Sequence, residues 1–218
     1  MNIRQIKQFV FSFVPMTDGE WNEFVERIHI KKVRAGDFFL EQGEICDHVC
    51  FVNKGSARMY YVLNNQEINA YFAFENIFVC DYQSFLTRTP SKYFIQAMED
   101  IELVCIDYET TQYGFDKYHN WNKFGRLITE YFYILIEKRT ESFLFKTAEE
   151  RYLELIESHP DIFERVPLYH IASFLGIKGP SLSRIRKRIV KNTSGKAVSA
   201  WNDSAVFSPM LISYFHSG

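Results

Sequence analysis

A series of short strand-like runs between Ile30 and Tyr108 most constrains what this chain can fold into. The clearest runs are HVCFV, ARMYYVL, INAYFAF, KYFIQAM and IELVCID. Turn signals containing Gly, Asn or Pro separate the runs at intervals of about ten residues. Short strands at regular spacing bury one face against an opposing sheet, and the sequence therefore predicts a β-sandwich, barrel or roll.

Helical patterns flank the strand region on both sides. Thr17 to Glu20 has the spacing of a capping box, and large apolar residues follow it at helical intervals. Beyond the strands, a three-four alternation from Trp121 to Lys138 predicts a long helix over about residues 118–139. A stripe this apolar needs a partner, either the β region or the same helix of a second subunit. Thr147 to Glu150 is a second capping box and predicts a further helix.

The C-terminal part of the chain is strongly basic. Residues 165–202 contain eight Lys and Arg residues and no Asp or Glu. The whole chain has a formal charge of −2, so the remainder carries about −10. A basic segment attached to an acidic body indicates a polyanionic partner.

Within this segment, residues 168–186 have the spacing of two packed helices. Ile171, Ala172 and Leu175 form an apolar face, and Gly176 follows where a positive φ ends a helix. Pro180 suits the first turn of a second helix, in which apolar residues recur every three or four positions. This pattern predicts a helix-turn-helix, with an ordinary helical hairpin as the alternative. Its polar face carries the predicted DNA-binding residues Ser181, Ser183, Arg184, Lys187 and Arg188.

In this order, the motifs resemble the cyclic-AMP receptor protein and fumarate–nitrate regulator (Crp/Fnr) family of bacterial transcription factors. Residues 39–44 and 47–56 are similar to the first half of the family's cyclic-nucleotide-binding β-roll, residues 97–103 to its closing strand and residues 168–188 to its helix-turn-helix. The resemblance covers roughly residues 15–190. It implies that Arg184 is a base-contacting residue, although Pro180 occupies the family's acidic base-reading position.

The phosphate-binding cassette departs from the family pattern. The resemblance implies a Gly-Glu pair and a later Arg in members that bind cyclic AMP, but Cys80-Asp81 and Ser91 stand at those positions. Lys92 offers a charge without the bidentate fork of Arg, and Tyr93-Phe94 is bulkier than the usual residues. We therefore expect that cyclic AMP does not bind and that any effector is apolar or aromatic. The predicted effector-pocket residues are Phe72, Phe78, Asp81, Tyr82, Ser91, Lys92 and Tyr93.

The sequence predicts no catalytic residue, no metal and no cofactor. The six His residues contain no His-x-His pair, which argues against a metal-dependent enzyme on the same β topology. No Cys precedes Cys46, whereas iron–sulfur members of the family carry an N-terminal cysteine cluster. His48 stands alone in a strand, where a structural role is commoner than haem ligation. The four cysteines form no CxxC pair, and we expect reduced thiols in a cytoplasmic protein.

The fold class is therefore predicted as α+β. It comprises an N-terminal cyclic-nucleotide-binding-like β-roll or jelly roll (1–117), a long dimerisation helix and hinge (118–145), a helix-turn-helix domain (146–192) and an irregular tail (193–218). The tail offers only weak wing strands, at 197–201 and 206–207, and also fits an unnatural extension. The N-terminus reads as a helix and not a signal peptide, and no apolar run reaches the roughly 20 residues that span a bilayer.

These features predict a homodimeric DNA-binding transcription regulator. Expected partners are double-stranded DNA with a near-palindromic site and a second copy of the chain, with an unidentified small-molecule effector and RNA polymerase as further candidates, and no membrane. The alternatives are a β-roll that binds nothing and serves as a scaffold, or a non-DNA-binding signalling protein. The predicted dimer interface consists of Trp121, Phe124, Ile128, Tyr131 and Leu135.

Overall fold

The structure is a computed structural model that describes residues 3–193, with side chains for residues 3–190. Two helices open it, α1 (Arg4–Phe11) and α2 (Asp18–Arg27). The strands are β1 (His29–Val33), β2 (Phe38–Leu40), β3 (His48–Lys54), β4 (Ala57–Leu63), β5 (Gln66–Ala73), β6 (Phe78–Val79), β7 (Phe94–Ala97) and β8 (Ile101–Asp107). The remaining helices are α3 (Tyr82–Thr87), α4 (Tyr108–Lys117), α5 (His119–Phe145), α6 (Ala148–Ser158), α7 (Ile162–Arg165), α8 (Leu168–Phe174) and α9 (Gly179–Thr193). The predicted wing strands lie outside the described residues.

The β-roll consists of two four-stranded sheets, in the orders β1-β8-β3-β6 and β2-β7-β4-β5. Every strand pair is antiparallel. Side chains from both inner faces form one core, in which Val52, Ile95 and Leu103 are completely buried. Gly55 turns the chain between β3 and β4 at φ +86°, and a Cβ there would lie 2.6 Å from the Asp100 carbonyl oxygen. The predicted strand runs and this turn are thus confirmed.

Helices α1, α2 and α5 cover the outer face of the β1-β8-β3-β6 sheet. Aromatic rings fill the interface, with Phe9 and Phe51 at 5.3 Å and Phe78 and Phe124 at 6.0 Å between centroids. Both predicted capping boxes are present at the starts of α2 and α6. No described helix is both long and apolar enough to cross a membrane.

The apolar stripe of α5 has its own β-roll and N-terminal helices as its partner. Trp121 and Tyr131 are 4% and 6% exposed, and Phe124, Ile128 and Leu135 pack into the same cluster. These residues, predicted as the dimer interface, thus pack within their own chain. A periodic apolar stripe indicates that a helix has a packing partner, but it does not identify that partner. A different face of α5 is exposed in the monomer.

The four C-terminal helices form a second core that rests on the outer face of β5. Ile171 and Leu182 are its most buried residues. Phe72 of β5 packs on Phe174 of α8 at 5.1 Å between ring centroids. The helical part of the chain is therefore docked on the β-roll and not separated from it.

Two of the four cysteines form a disulfide, which corrects the expectation of reduced thiols. Cys50 of β3 and Cys105 of β8 are register partners and are bonded to each other, with their Cα atoms 4.1 Å apart. The sequence separation of 55 residues conceals this pairing, because it depends on the register of two non-consecutive strands. Cys46 and Cys80 are free.

Candidate functional sites

The first candidate site is the α8–α9 helix pair and its tight turn. Gly176 ends α8 at φ +68°. Its N–H donates to the Ser173 carbonyl at 3.0 Å, and the Ile177 N–H donates to the Ala172 carbonyl at 2.9 Å. These two bonds satisfy the last carbonyls of α8 in the pattern of a Schellman motif. The turn therefore fixes the direction in which α9 leaves α8.

Helix α9 buries one face and presents a basic one. Leu182 and Ile185 are buried against α8, whereas Ser183, Arg184 and Lys187 are exposed. Positive side chains on an exposed helix face suit the phosphates and base edges of a duplex groove.

Three of the five predicted contact residues have side-chain partners that were not anticipated. Ser181 is half-buried, and its hydroxyl lies 3.1 Å from Arg184 Nη2. Arg188 forms an ion pair with Glu149 of α6, although its side chain is 58% exposed. The structure therefore leaves Ser183, Arg184 and Lys187 as the exposed members of the predicted set that form no hydrogen bond or ion pair with another helix in the described part of the chain, although Arg184 is bonded to Ser181 within α9.

Arg186 was missed by the sequence prediction. It is exposed and lines a shallow concave surface together with Ser183, Lys187 and Val190. The i, i+4 and i, i+3 relations of these residues were available in the sequence and could have identified the cluster. The basic face of α9 is accordingly wider than predicted.

The second candidate site is the cassette between β6 and β7, which is closed by its own side chains. Asp81 and Ser91 are 5% and 3% exposed, and the Ser91 hydroxyl donates to Asp81 Oδ2 at 2.7 Å. Asp81 also caps α3 by accepting from the Ser84 N–H at 3.2 Å. The Tyr93 N–H donates to the Ser91 hydroxyl oxygen at 3.0 Å. A serine hydroxyl that donates to a buried carboxylate thus occupies the place where the resemblance implies the phosphate-binding Arg.

The structure does not bring the seven predicted pocket residues into one pocket. Phe72 faces α8, on the opposite side of β5 from Tyr71, because side chains alternate along a strand. Phe78 lies in the aromatic cluster under α5, and Lys92 is exposed. Tyr93 stacks edge-on against Tyr61, with 5.8 Å between centroids. The predicted aromatic pocket is therefore corrected to separate environments.

A cavity of about 80 Å³ lies between α5, the N-terminal helices and the outer face of the sheet. Its lining is almost entirely apolar and includes Phe78, Cys80 and Tyr82 from the cassette side. The Tyr82 hydroxyl is 2.9 Å from Thr129 Oγ1 of α5. This hydrogen bond gives the cassette a direct contact with the long helix.

A buried polar network joins the β-roll to the helix pair. Arg58 of β4 is 5% exposed, and its Nη1 lies 3.1 Å from His170 Nδ1 on α8. Burial first, and then the charge of Arg58, lowers the pKa of His170 to about 4, so its imidazole is neutral at pH 7. The Ser173 hydroxyl donates to the Glu67 carbonyl at 2.7 Å and accepts from the Asn69 N–H at 3.0 Å.

A second link joins the β-roll to α7, the helix that precedes the helix pair, through Arg165. Its guanidinium is hydrogen-bonded to both Glu75 and Glu99 of the β-roll, with the shortest contact to each at 2.7 Å. These carboxylates hold the pKa of Arg165 above its usual range. The position of the helix pair is therefore set by polar contacts as well as by ring packing.

Comparisons with known proteins agree with this architecture. Residues 30–118 match the family model described as the cyclic nucleotide-binding domain. A CooA variant from Carboxydothermus hydrogenoformans superposes with a TM-score of 0.65 at 17% identity, covering 88% of this chain and 85% of that one. CLP, the c-di-GMP responsive global regulator of Xanthomonas campestris, has a TM-score of 0.64 at 14% identity, with 81% and 93% covered.

A transcriptional regulator of the crp/fnr family from Eubacterium rectale gives a TM-score of 0.63 at 14% identity, covering 91% of this chain and 95% of that one. No curated protein sequence matches the chain significantly. At these identities the structural likeness establishes the fold.

Proposed function

We propose that this protein is a DNA-binding transcription regulator. The premise is that residues 30–118 match the cyclic nucleotide-binding domain and that the chain has the fold of Crp/Fnr-type regulators. In this proposal residues 1–117 form the sensor, 118–145 the dimer helix and 146–192 the helix-turn-helix domain. Such a regulator works inside the cell, where the DNA is, and is not an enzyme.

The observation that carries the proposal is the exposed basic face of α9. Arg184, Arg186 and Lys187 are exposed on a helix that contains no acidic residue, whereas the chain as a whole is acidic. The buried side of the helix is fixed by Leu182 and Ile185, so the basic side is presented rigidly. A rigid basic helix after a tight turn suits insertion in a major groove.

We assign sequence reading to Arg184 and backbone contact to Lys187. Arg can donate two bonds to guanine O6 and N7, which is worth about 1–3 kcal/mol of discrimination, whereas Lys acts on phosphate as a point charge. Arg186 is a further phosphate contact. Arg188 is assigned a structural role through Glu149.

The dimer contact is assigned to the outward face of α5. Tyr133 and Ile136 are 65% and 66% exposed, and the exposed Thr140 continues the three-four spacing on the same side. A face with this spacing packs against an identical helix in a coiled-coil pair. Helix α5 has 27 residues and a length of about 40 Å. Two copies would present two α9 helices to successive major grooves of a near-palindromic site.

The dimer assignment is tested by Ile136→Glu. The variant should sediment as a monomer, because it places like charges opposite each other at the symmetry contact. Leu63→Glu is the matched control, since Leu63 is also an exposed apolar residue, at 54%, but belongs to β4 and not to α5. Dimers that persist in Ile136→Glu, or a wild-type protein that is monomeric, would contradict the assignment.

The sensor is proposed not to take cyclic AMP. The buried Asp81 carboxylate and the Ser91 hydroxyl satisfy each other, and bound phosphate would face that carboxylate instead of a guanidinium. Loss of one charge-assisted partner costs about 1.5–3 kcal/mol. Repulsion between the two anions adds to this cost.

The experiment that tests the proposal is a sequence-selection assay on random duplexes. Wild-type protein should enrich a near-palindromic motif, and Arg184→Ala should lose preference at one base pair of each half-site. Lys187→Ala should weaken binding to all sequences without changing the motif. Failure of the wild type to enrich any motif would favour the alternative of a non-DNA-binding scaffold.

A further inference from the structure

Three parts of the chain meet at the C-terminal end of α8, the first helix of the helix pair. From α5, Arg139 Nη2 donates to the Phe174 carbonyl at 3.1 Å, and its guanidinium carbon lies 4.0 Å from the centre of the Phe174 ring. The same nitrogen donates to the Asn69 carbonyl of β5 at 3.3 Å. One side chain of α5 is therefore bonded to the main chain of both the β-roll and the helix pair.

Helices α5 and α6 also contact the turn between α8 and α9. Phe143, one helical turn after Arg139, lies against Gly176, where an added Cβ would be 2.7 Å from the phenyl ring. The guanidinium carbon of Arg151 on α6 is 4.8 Å from the centre of the same ring, and its Nε and Nη2 donate to the Leu175 carbonyl at 3.2 and 3.1 Å. Because this turn sets the direction of α9, these contacts relate the basic helix to α5.

Helix α8 is bonded to β5, the edge strand of its sheet. The Ser173 hydroxyl accepts from the Asn69 N–H at 3.0 Å and donates to the Glu67 carbonyl at 2.7 Å. Hydrogen bonds to the main chain are directional, whereas apolar contacts tolerate sliding. The bonds of Ser173 therefore select one position of α8 along the strand.

The cation at this junction has no acidic partner. Arg58 and Arg165 form ion pairs with carboxylates, whereas no ion pair among the side chains of residues 3–190 involves Arg139. Burial lowers the pKa of Arg139 to about 10, since its surroundings disfavour the charged form. Buried ionic groups are weak sources of stability, and in some proteins they select one geometry over its alternatives.

We propose that Arg139 is a positioning residue that determines the spacing of the two half-sites, because it joins α5 to Asn69 and Phe174 and so fixes the direction of α9 relative to the dimer helix. The inference rests on the proposed function, since it requires that α9 binds DNA and that α5 carries the dimer face. Tyr133 and Ile136 of that face lie on the same helix as Arg139. A rigid junction thus relates each α9 to the two-fold axis of the dimer.

The geometry of the duplex gives the size of the expected effect. A change of two base pairs in the spacing turns one half-site by about 70° around the duplex and moves it by about 7 Å. Both displacements exceed the reach of a hydrogen bond, so a fixed α9 loses its base contacts in that half-site. Wild-type affinity should therefore fall at least about tenfold.

Arg139→Met keeps an unbranched apolar stem and removes the donors that tie the three parts together. Its affinity should fall by about threefold or less when the spacing changes by two base pairs, because α9 can follow the displaced half-site. Its affinity for a duplex with a single half-site should equal that of the wild type, since α9 itself is unchanged.

The spacing experiment measures affinities for duplexes that carry the motif selected by the wild type, with its half-sites moved by one to five base pairs. Arg126→Met is the matched control, because it removes an exposed Arg from the same helix, and it should keep the wild-type preference. A preference in Arg139→Met as strict as that of the wild type would overturn the proposal. A lower urea midpoint together with that strict preference would show that Arg139 serves stability alone.

The junction is also tested without DNA, by hydrogen exchange of the full chain. The Asn69 amide, which donates to Ser173, should exchange at least about fivefold faster in Arg139→Met than in the wild type, the effect of losing about one hydrogen bond. Ser173→Ala removes the acceptor directly and is the positive control, whereas Arg126→Met should exchange like the wild type. Unchanged exchange at Asn69 in Arg139→Met would overturn the role of Arg139 at the junction.

The two experiments separate failure of the inference from failure of the proposed function. A wild-type protein that binds duplexes equally well at every spacing would overturn the inference and leave DNA binding standing. A wild-type protein that binds no duplex would contradict the proposed function and the spacing rule with it. The exchange result would then still decide whether Arg139 holds the junction.

Discussion

The Arg58 network at the junction of β-roll and helix pair gives a quantitative test of how the two parts are held together. The side chain is 6% exposed, and its guanidinium donates to Gln96 Oε1 at 2.9 and 2.6 Å. A third donor lies 3.1 Å from His170 Nδ1, and an ion pair joins it to Glu67 at 2.5 Å. Arg58→Met keeps an unbranched apolar stem of similar length and removes every donor.

The free energy of unfolding that Arg58→Met should lose can be worked out from the hydrogen bonds that water does not replace. Glu67 is 46% exposed, so solvent screens the ion pair and its contribution is small. The two bonds to Gln96 and the one to His170 contribute about 1 kcal/mol each, or about 3 kcal/mol together. For a chain of this length, that corresponds to a fall in Tm of about 6–12 °C.

The matched control is Arg126→Met. Arg126 pairs with Glu130 at the same distance of 2.5 Å, but the two side chains are 58% and 44% exposed. Arg126→Met should lower the free energy of unfolding by less than about 0.5 kcal/mol. Urea denaturation of both variants measures the difference. Equal losses, or a loss below about 1 kcal/mol in Arg58→Met, would refute the role given to burial at this junction.

Three further predictions concern the turn, the pH dependence and the ligand. Gly176→Ala should lower the free energy of unfolding by at least about 1 kcal/mol, because its Cβ would lie 2.7 Å from the Phe143 ring and the residue has a positive φ. Gly179→Ala is the control and should cost little in the same urea titration, because a Cβ there meets nothing within 4 Å. Burial lowers the pKa of His159 and of His170 to about 4, so the unfolded chain binds more protons than the folded chain between about pH 4 and 6.5. The urea concentration at the midpoint of unfolding should therefore rise with pH across that window and level off above it. A midpoint that is constant from pH 5 to 7 would contradict this. Calorimetric titration with cyclic AMP should give no heat of binding, and micromolar affinity would mean that the closed cassette opens for the nucleotide.

Local rules predicted the elements of the fold well. The strand runs, both capping boxes and the positive φ at Gly176 depend on residues close in sequence, and the structure confirms them. Helix α4 was missed because its apolar pattern is weak, and its cap, Asp107, lies at the end of a strand run. Short-range signals thus specify where most elements begin and end.

The partners of those elements could not be predicted in the same way. The stripe from Trp121 to Leu135 was correctly identified as buried, but its spacing does not distinguish the β-roll from a second subunit. The Cys50–Cys105 pair depends on strand register, and the Arg188–Glu149 pair depends on how α9 crosses α6. Phe72 was assigned to the effector pocket although strand alternation turns it towards α8. These errors share one cause, since each concerns contacts between residues far apart in sequence.

The salt dependence of binding to duplex DNA tests the central claim most directly. If α9 contacts phosphates, the logarithm of the binding constant should fall linearly with the logarithm of salt concentration, by about 0.9 for each contact. Lys187→Ala should make the slope shallower by about 2 in a dimer, one contact being lost from each subunit. Lys123→Ala, an exposed Lys on α5, should leave it unchanged. A wild-type protein that binds no duplex at low salt, or whose slope is the same in Lys187→Ala, would contradict the assignment of α9 as the DNA-binding element.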